Sequence, residues 1–441
     1  MRCNGLHPLS ERGTLSASET VRNRMQRRGD PVLGHGRSHG EDPVTGTPVT
    51  LDTPFWRETF ALHRGGKLEV ASRVPLEDRA DLAMAYTPGV AGVCSAIHED
   101  VGLSFEYTGR ANTVAVVSDG SAVLGLGRIG PEASMPVLEG KAVLFKKFGG
   151  VDAIPIALEL PGVDRVREFV DAVAAIAPSF GGINLEDVAA PECFEIERLL
   201  AERLDIPVFH DDQHGTAVVV LAGLLNACRA TGRDLGNLRV VVLGAGAAGV
   251  ACTKILLAAG VGDVAVVDSR GVIGAERAGD LDGMKLWLAR HTNRAGVTGC
   301  VRDALRGADV FLGVSGPGLV EPAWLTEMAD PAIVFALANP DPEVDVDAAP
   351  ANARVVATGR SADLNQVNNV LAFPGIFRGL LDARAPRVDG AAKIAAARGL
   401  ASLVSDEEIA AGRVIPSPFD PAVAPTVAAA VTAHLGLSTQ H

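Results

Sequence analysis

A chain of 441 residues is too long for one ordinary hydrophobic core and points to two or three domains, two being the simpler division. Hydrophobic residues make up 47% of it and charged residues 21%, with 49 glycines, which excludes general disorder. A net charge of −13 and an aromatic content of 4% exclude nucleic acid as the main partner, because phosphates need a basic face and single strands need stacking rings.

Residues 1–52 are dominated by Arg, Ser, Gly, Thr and Pro, hold no hydrophobic period, and read as a disordered extension with Met25 inside it. Arg22, Arg24, Arg27 and Arg28 resemble part of a transit peptide, but Glu11, Glu19, Asp30, Glu41 and Asp42 break the acid-poor pattern. Apolar spacing then predicts helices at 54–63 and 78–84 and strands at 113–117 and 153–157. Helical periodicity returns at 163–177 and at 190–204, with Pro191 near the start of the latter, where proline is tolerated. A short strand at 206–210 leads to an apolar helix at 217–229, with Thr216 as its expected cap, joining two domains.

Beyond Gly236 the pattern is β-α-β: strands at 238–243, 263–268, 310–314, 333–336 and 354–357, with a helix at 246–259 after the first. Glycines divide the apolar stretch 240–267, so it reads as strand, turn and helix rather than a membrane span. Helices at 391–403 and 422–434 close the chain. The expected fold is therefore α/β: an N-terminal α/β domain at 53–215, then a doubly wound, Rossmann-type domain with C-terminal helices at 216–441. Cys3, Cys94, Cys193, Cys228, Cys252 and Cys300 form no CxxC pair and no regular framework, which fits a reducing, cytoplasmic compartment.

The sharpest motif follows the strand at 238–243: Gly244, Ala245, Gly246, Ala247, Ala248 and Gly249, with the acidic Asp268 at the end of the next strand. Gly244 permits the tight turn, Gly246 lets backbone approach a pyrophosphate, and Gly249 lets helix pack on strand. Asp268 can accept both ribose hydroxyls, which favours NAD, whereas Ser269 and Arg270 could instead hold the 2′-phosphate of NADP.

A second constellation is acidic. Glu186 and Asp187 follow one strand end, and Asp211 and Asp212 follow another. Four carboxylates at one sheet edge repel unless a cation joins them, and Mg²⁺ or Mn²⁺ is the economical choice because each takes oxygen ligands and leaves positions open. His210 and His214 have an i,i+4 spacing that could suggest zinc, but Gly215 argues for a loop there. Lys141 stands among apolar residues where a surface cation is out of place, so it is the candidate general base; Lys146 and Lys147 read as a solvated helix end and as its understudies. Tyr86, beside Pro88 and Gly89, sits in a turn that could present its phenol to a cleft. Asn339 and Asn369 sit where loops leave the second domain.

Together the runs 85–91, 118–127, 135–141, 182–187, 210–216 and 368–375 make the sequence resemble the small bacterial type of malic enzyme from about residue 60 to 435. The resemblance implies a divalent metal on Glu186, Asp187 and Asp212, Tyr86 as acid and Lys141 as base. It further implies malate contacts from Arg110, Asn339 and Asn369, Asp211 orienting the lysine or the metal, and a homodimer. The implied reaction is oxidative decarboxylation of L-malate to pyruvate and CO2 with NAD or NADP as acceptor. Oxidation at C2 comes first, since only a ketone β to the carboxylate can accept the electrons left by CO2. Malate-to-lactate conversion with retained NAD uses nearly the same site, an oxaloacetate decarboxylase would leave the glycine motif idle, and a nucleotide-sensing protein would leave Lys141 and the carboxylates idle. The N-terminal extension has no counterpart in the pattern.

Overall fold

The computed structural model describes residues 53–436 and, ahead of them, the antiparallel pairing of two short strands, β1 (Gly40–Glu41) and β2 (Pro48–Val49). The rest of the expected extension lies outside the described residues. The chain separates into two compact units, Met1–Arg57 and Glu58–His441; the first helix begins in the first unit, and the architecture after it belongs to the second.

Helix α1 (Pro54–His63) is followed by α2 (Arg79–Ala85), α3 (Gly89–Glu99) and α4 (Ser104–Tyr107), and none of the four buries a residue. Asp78 starts α2 by accepting from the amides of Ala80 and Asp81. Three βα units then build a four-stranded parallel sheet: β3 (Thr113–Ser118), α5 (Pro131–Gly149), β4 (Asp152–Ala157), α6 (Arg165–Ile176), β5 (Gly182–Leu185), α7 (Glu192–Arg203) and β6 (Val208–His210). The strand order is β4-β3-β5-β6. Val114, Ala115, Val116 and Val117 are all buried, as expected of a parallel strand covered on both faces.

Helix α8 (Asp211–Thr231) begins immediately after β6, with His210 at its cap position. The expected start after Thr216 is corrected to Asp211: two acids in the first turn suit the positive end of a helix, and Gly215 is carried inside it. Every residue from Ala217 to Leu224 is buried, because α8 is apolar on all sides and is enclosed by both halves of the unit. One core runs from Val114 and Phe145 through Phe209 and α8 to Val240 and Phe335, so the boundary drawn at 215/216 falls inside a shared helix.

The second sheet comprises β7 (Arg239–Leu243), β8 (Asp263–Asp268), β9 (Gly271–Val272), β10 (Val310–Gly313), β11 (Ala332–Ala336) and β12 (Ala353–Thr358). Its order is β12-β11-β10-β7-β8-β9, parallel except for β9. Helices α9 (Ala247–Ala258), α10 (Gly283–His291), α11 (Val301–Leu305), α12 (Phe373–Asp382), α13 (Gly390–Ala401), α14 (Asp406–Ala410) and α15 (Val423–His434) complete it. In each sheet the chain adds strands first on one side of a central strand and then on the other, β3 in the first and β7 in the second. That reversal opens a crevice at the carboxyl ends of the strands.

Candidate active site

At the carboxyl edge of the four-stranded sheet, β5 delivers Glu186 and Asp187, and the start of α8 delivers Asp211 and Asp212. Lys141 reaches them from the middle of α5, only 7% exposed. Its Nζ lies 2.5 Å from Asp211 Oδ2 and 2.9 Å from Glu186 Oε1, and 4.5 Å from the centre of the Phe373 ring. Asn369 Nδ2 donates to the same Asp211 oxygen at 2.5 Å, and Asn184 Nδ2 donates to Glu186 Oε2 at 2.9 Å. The Asp187 amide donates to Asp212 Oδ2 at 2.8 Å, with Asp187 held at φ 54°.

Glu186, Asp187 and Asp212 each offer an oxygen within 4.8 Å of the others. With Asp211 they make four carboxylates against the single ammonium of Lys141, and Asp211 Oδ1 is buried without a hydrogen bond. Such a donor set, all hard oxygens in charge excess, fits a divalent cation. Burial works against the Lys141 ammonium, but Asp211, Glu186 and Asp212 outweigh it and hold its pKa above the ordinary lysine value. Burial, with Asp212, Asp211 and Asp187 close by, pushes Glu186 well above the usual carboxylate range despite Lys141. His214 stands on α8 rather than in a loop, its Nε2 2.9 Å from Glu197 Oε2.

The other candidates are more dispersed. Arg110 donates to the Phe180 carbonyl at 3.1 Å and to Ser104 Oγ at 2.9 Å, and stacks over Phe105 at 4.2 Å. Asn339 is exposed just beyond β11, its Nδ2 3.5 Å from the Leu337 carbonyl. Tyr86 caps the end of α2 and is 68% exposed, and the hydrogen bonds and ion pairs of the Lys141 cluster do not include it. Lys146 ends α5 and pairs with Asp152 at 2.6 Å, away from the acids.

The second crevice, of about 1000 Å³, lies at the reversal between β7 and β10. Gly244 has φ 120°, and a side chain there would meet the Val314 carbonyl at 2.5 Å. A methyl on Gly249 would stand 1.9 Å from the Gly244 carbonyl oxygen, so helix and turn touch through bare backbone. Gly246 is the cap of α9, and Ala247 and Ala248 begin it. Asp268 lines the crevice at the end of β8, yet its oxygens are already engaged. Arg277 donates to both, at 2.9 and 3.0 Å, Lys285 at 2.9 Å, and the Arg270 amide at 2.9 Å. Burial opposes it, but these donors hold Asp268 well below the usual carboxylate range. The Arg270 side chain points to solvent and comes no nearer than 3.9 Å to Asp280.

The two halves match two described families: malic enzyme, N-terminal domain, over residues 65–201, and malic enzyme, NAD binding domain, over 213–435. The chain belongs to the malic enzyme family. It is 53% identical to an NAD-dependent malic enzyme of Geobacillus stearothermophilus, over 85% of this chain and 77% of that one. It is 52% identical to a bifunctional malic/malolactic enzyme of Bacillus subtilis, over 85% and 91%. The crystal structure of malic enzyme from Pyrococcus horikoshii superposes with a TM-score of 0.83 at 47% identity, covering 88% of this chain and 92% of the other. NADP-dependent malic enzymes also match, that of Halomonas elongata at 47% identity.

Within this malic enzyme fold, sequence reasoning missed residues whose partners lie far along the chain. Arg277 and Lys285 reach Asp268 through a 3₁₀ turn and the first turn of α10, a relation no local spacing reveals. Glu343, fully buried, accepts the amides of Ser315 at 2.8 Å and Ala338 at 3.0 Å, and so ties the loops after β10 and β11. Among the described residues no helix is long and apolar enough to cross a membrane.

Proposed function

We propose that this malic enzyme catalyses the oxidative decarboxylation of L-malate to pyruvate and CO2, dependent on a divalent metal and on NAD or NADP. The observation that carries the reading is Lys141, buried between Asp211 and Glu186 and adjoining the Glu186, Asp187 and Asp212 oxygens. When bound, Mg²⁺ or Mn²⁺ on those three carboxylates polarises substrate oxygen and the nicotinamide accepts hydride. Lys141, which Asp211, Glu186 and Asp212 hold as the ammonium, would shed its proton once a cation offsets those carboxylates and then take that of the C2 hydroxyl, while Asp211, itself fixed by Asn369, keeps the lysine in place. Asn339, Asn369 and Arg110 orient the two malate carboxylates. Tyr86 returns a proton to C3 after CO2 has left.

Tyr86 cannot perform that step while bathed in solvent, and its arm, α1–α4, buries nothing. We therefore assign a homodimer in which a second copy covers the arm and the phenol. The functional halves are 53–215 for metal and substrate and 216–441 for the dinucleotide, and the setting is cytoplasmic, in line with free thiols at Cys94, Cys193, Cys228, Cys252 and Cys300.

The choice of nucleotide rests on the Asp268 cluster. Asp268 alone favours NAD, but Arg277 and Lys285 bring two positive charges against it at the end of β8, which supports use of NADP as well. The deciding experiment is the initial rate at 340 nm with L-malate and Mn²⁺, comparing NAD with NADP and with EDTA added. Turnover abolished by EDTA is expected. Failure of both nucleotides to be reduced, with no lactate formed, would overturn the reading, and lactate without reduced nucleotide would assign the malolactic reaction.

A further inference from the structure

The reaction leaves unused a cavity of about 660 Å³ beside the first turns of α8, walled also by α7, α9 and α13. It adjoins the dinucleotide crevice, with Pro191, Phe194, Gly283 and Met284 lining both, but contains neither the glycine turn nor Asp268. Its surface is mostly apolar, yet two lysines enter it from opposite helices, Lys254 from α9 and Lys393 from α13.

Neither ammonium has a carboxylate within ion-pair distance among the described residues. Lys254 Nζ lies 3.1 Å from Met284 Sδ and 5.2 Å from the Trp287 ring centre, and Lys393 Nζ lies 6.0 Å from the Phe209 ring centre. The nearby acids are already committed. Glu197 is held by His214 Nε2 at 2.9 Å, Gln213 Nε2 at 3.3 Å and the His210 amide at 3.2 Å. Glu195 pairs with Arg198 at 2.6 Å, and Asp389 caps α13 through the Ala392 amide at 2.7 Å. Burial lowers the pKa of both lysines against the charge of Glu197, which raises both, and Lys254 lowers that of Lys393 further. Lys254 is exposed and Lys393 half-buried, and both line the apolar hollow with no carboxylate in direct contact, so an anion seated there would gain two charge-assisted partners.

We propose that this cavity binds a small organic anion, its carboxylate or phosphate group between Lys254 and Lys393 and its body against Phe194, Ile255 and Met284. Inorganic phosphate and succinate serve as the probes, with chloride holding ionic strength constant and the full chain followed by thermal unfolding and titration calorimetry. At least one probe is expected to raise the unfolding midpoint of the wild type. In the Lys254→Gln, Lys393→Gln double variant its affinity is expected to weaken by about tenfold or more. The stabilisation by NADP and Mn²⁺ should survive in that variant, and the Lys254→Arg, Lys393→Arg variant, which keeps both charges, should retain the probe's effect. A response to phosphate alone assigns a phosphorylated ligand, and a response to succinate alone a carboxylate. Equal affinity for the probes in wild type and the glutamine variant, or no response of the wild type to either, overturns the proposal.

Discussion

The two crevices are built in opposite ways. At the edge of the four-stranded sheet the site is crowded: Lys141, Glu186, Asp187, Asp211, Asp212 and Asn369 arrive from α5, β5, α8 and the turn before α12, and charge holds them together. At the reversal of the six-stranded sheet the site is cleared: Gly244 and Gly249 let backbone meet backbone, Gly246 leaves open space beside the turn, and charge enters only at the far end, around Asp268. A crowded site should fail when one charge changes its chemistry even though shape is kept. A cleared site should fail when one methyl is added even though charge is kept.

The largest expected effect tests the first half of that contrast. Lys141→Arg keeps a cation against Asp211 and Glu186 but replaces it with a group that does not give up a proton. Malate oxidation should fall on the order of 10²–10⁴-fold, while dinucleotide affinity, measured by fluorescence titration, stays within about twofold. Retained oxidation would restrict Lys141 to holding Asp211 in place. Lys141→Ala is less informative, because it leaves buried carboxylates uncompensated and should cost about 3 kcal/mol or more of stability.

Next comes Asp212→Asn, which preserves the acceptor for the Asp187 amide but removes one negative oxygen from the three-carboxylate set. Mn²⁺ affinity should weaken by about 100-fold, read by calorimetry on the intact chain. Unchanged Mn²⁺ affinity would move the metal elsewhere. Gly249→Ala probes the cleared site: its methyl would stand 1.9 Å from a backbone oxygen, so turn and helix must separate. A stability loss of about 1–3 kcal/mol is expected, and dinucleotide affinity should fall more than malate affinity.

Legibility in the sequence follows the same division. The cleared site was readable because its signal is local: β-branched strand, three glycines, helix, then an acid at the next strand end. The acid pairs were readable too, since each follows a short apolar strand. What holds them was less so. Pro136 and Gly140 blur the period of α5, so Lys141 announced itself only as a cation in apolar company and not as a residue facing Asp211. The start of α8 was misread by six residues because Thr216 looks like a cap, whereas the structure caps the helix at His210 and begins it at Asp211. Glu343, buried, and Glu197, partly buried, could not be told from surface acids, because their partners are backbone amides and a histidine on other elements. Tyr86 shows the opposite limit. Its turn does present the phenol, but to solvent and not to the Lys141 cluster of the same chain.

Lys285→Ala sharpens the comparison at the point where the cleared site does carry charge. Arg277 keeps its two-pronged hold on Asp268, so the acid stays in place while one cation beside the ribose is lost. kcat/KM with NADP should drop about tenfold and that with NAD should hold or rise, consistent with loss of one charge-assisted bond. An equal fall with both nucleotides would mean that Lys285 serves only to fix Asp268.

The smallest effect concerns access. Cys300 lines the dinucleotide crevice at the start of α11, exposed and 3.2 Å from Asp303 Oδ2, whereas Cys94 lies exposed on α3. Burial pushes the thiols of Cys193 and Cys252 up to about 12 and that of Cys228 up to about 11, so none of the three should react before unfolding. With a maleimide reagent, Cys94 and Cys300 should therefore be lost first among the described cysteines. NADP at ten times its Kd should slow labelling of Cys300 by roughly tenfold and leave Cys94 unchanged, since only the unliganded fraction exposes the crevice. Protection of Cys94 instead would place the nucleotide against the arm that carries Tyr86, and the open crevice at the β7–β10 reversal would lose its assignment.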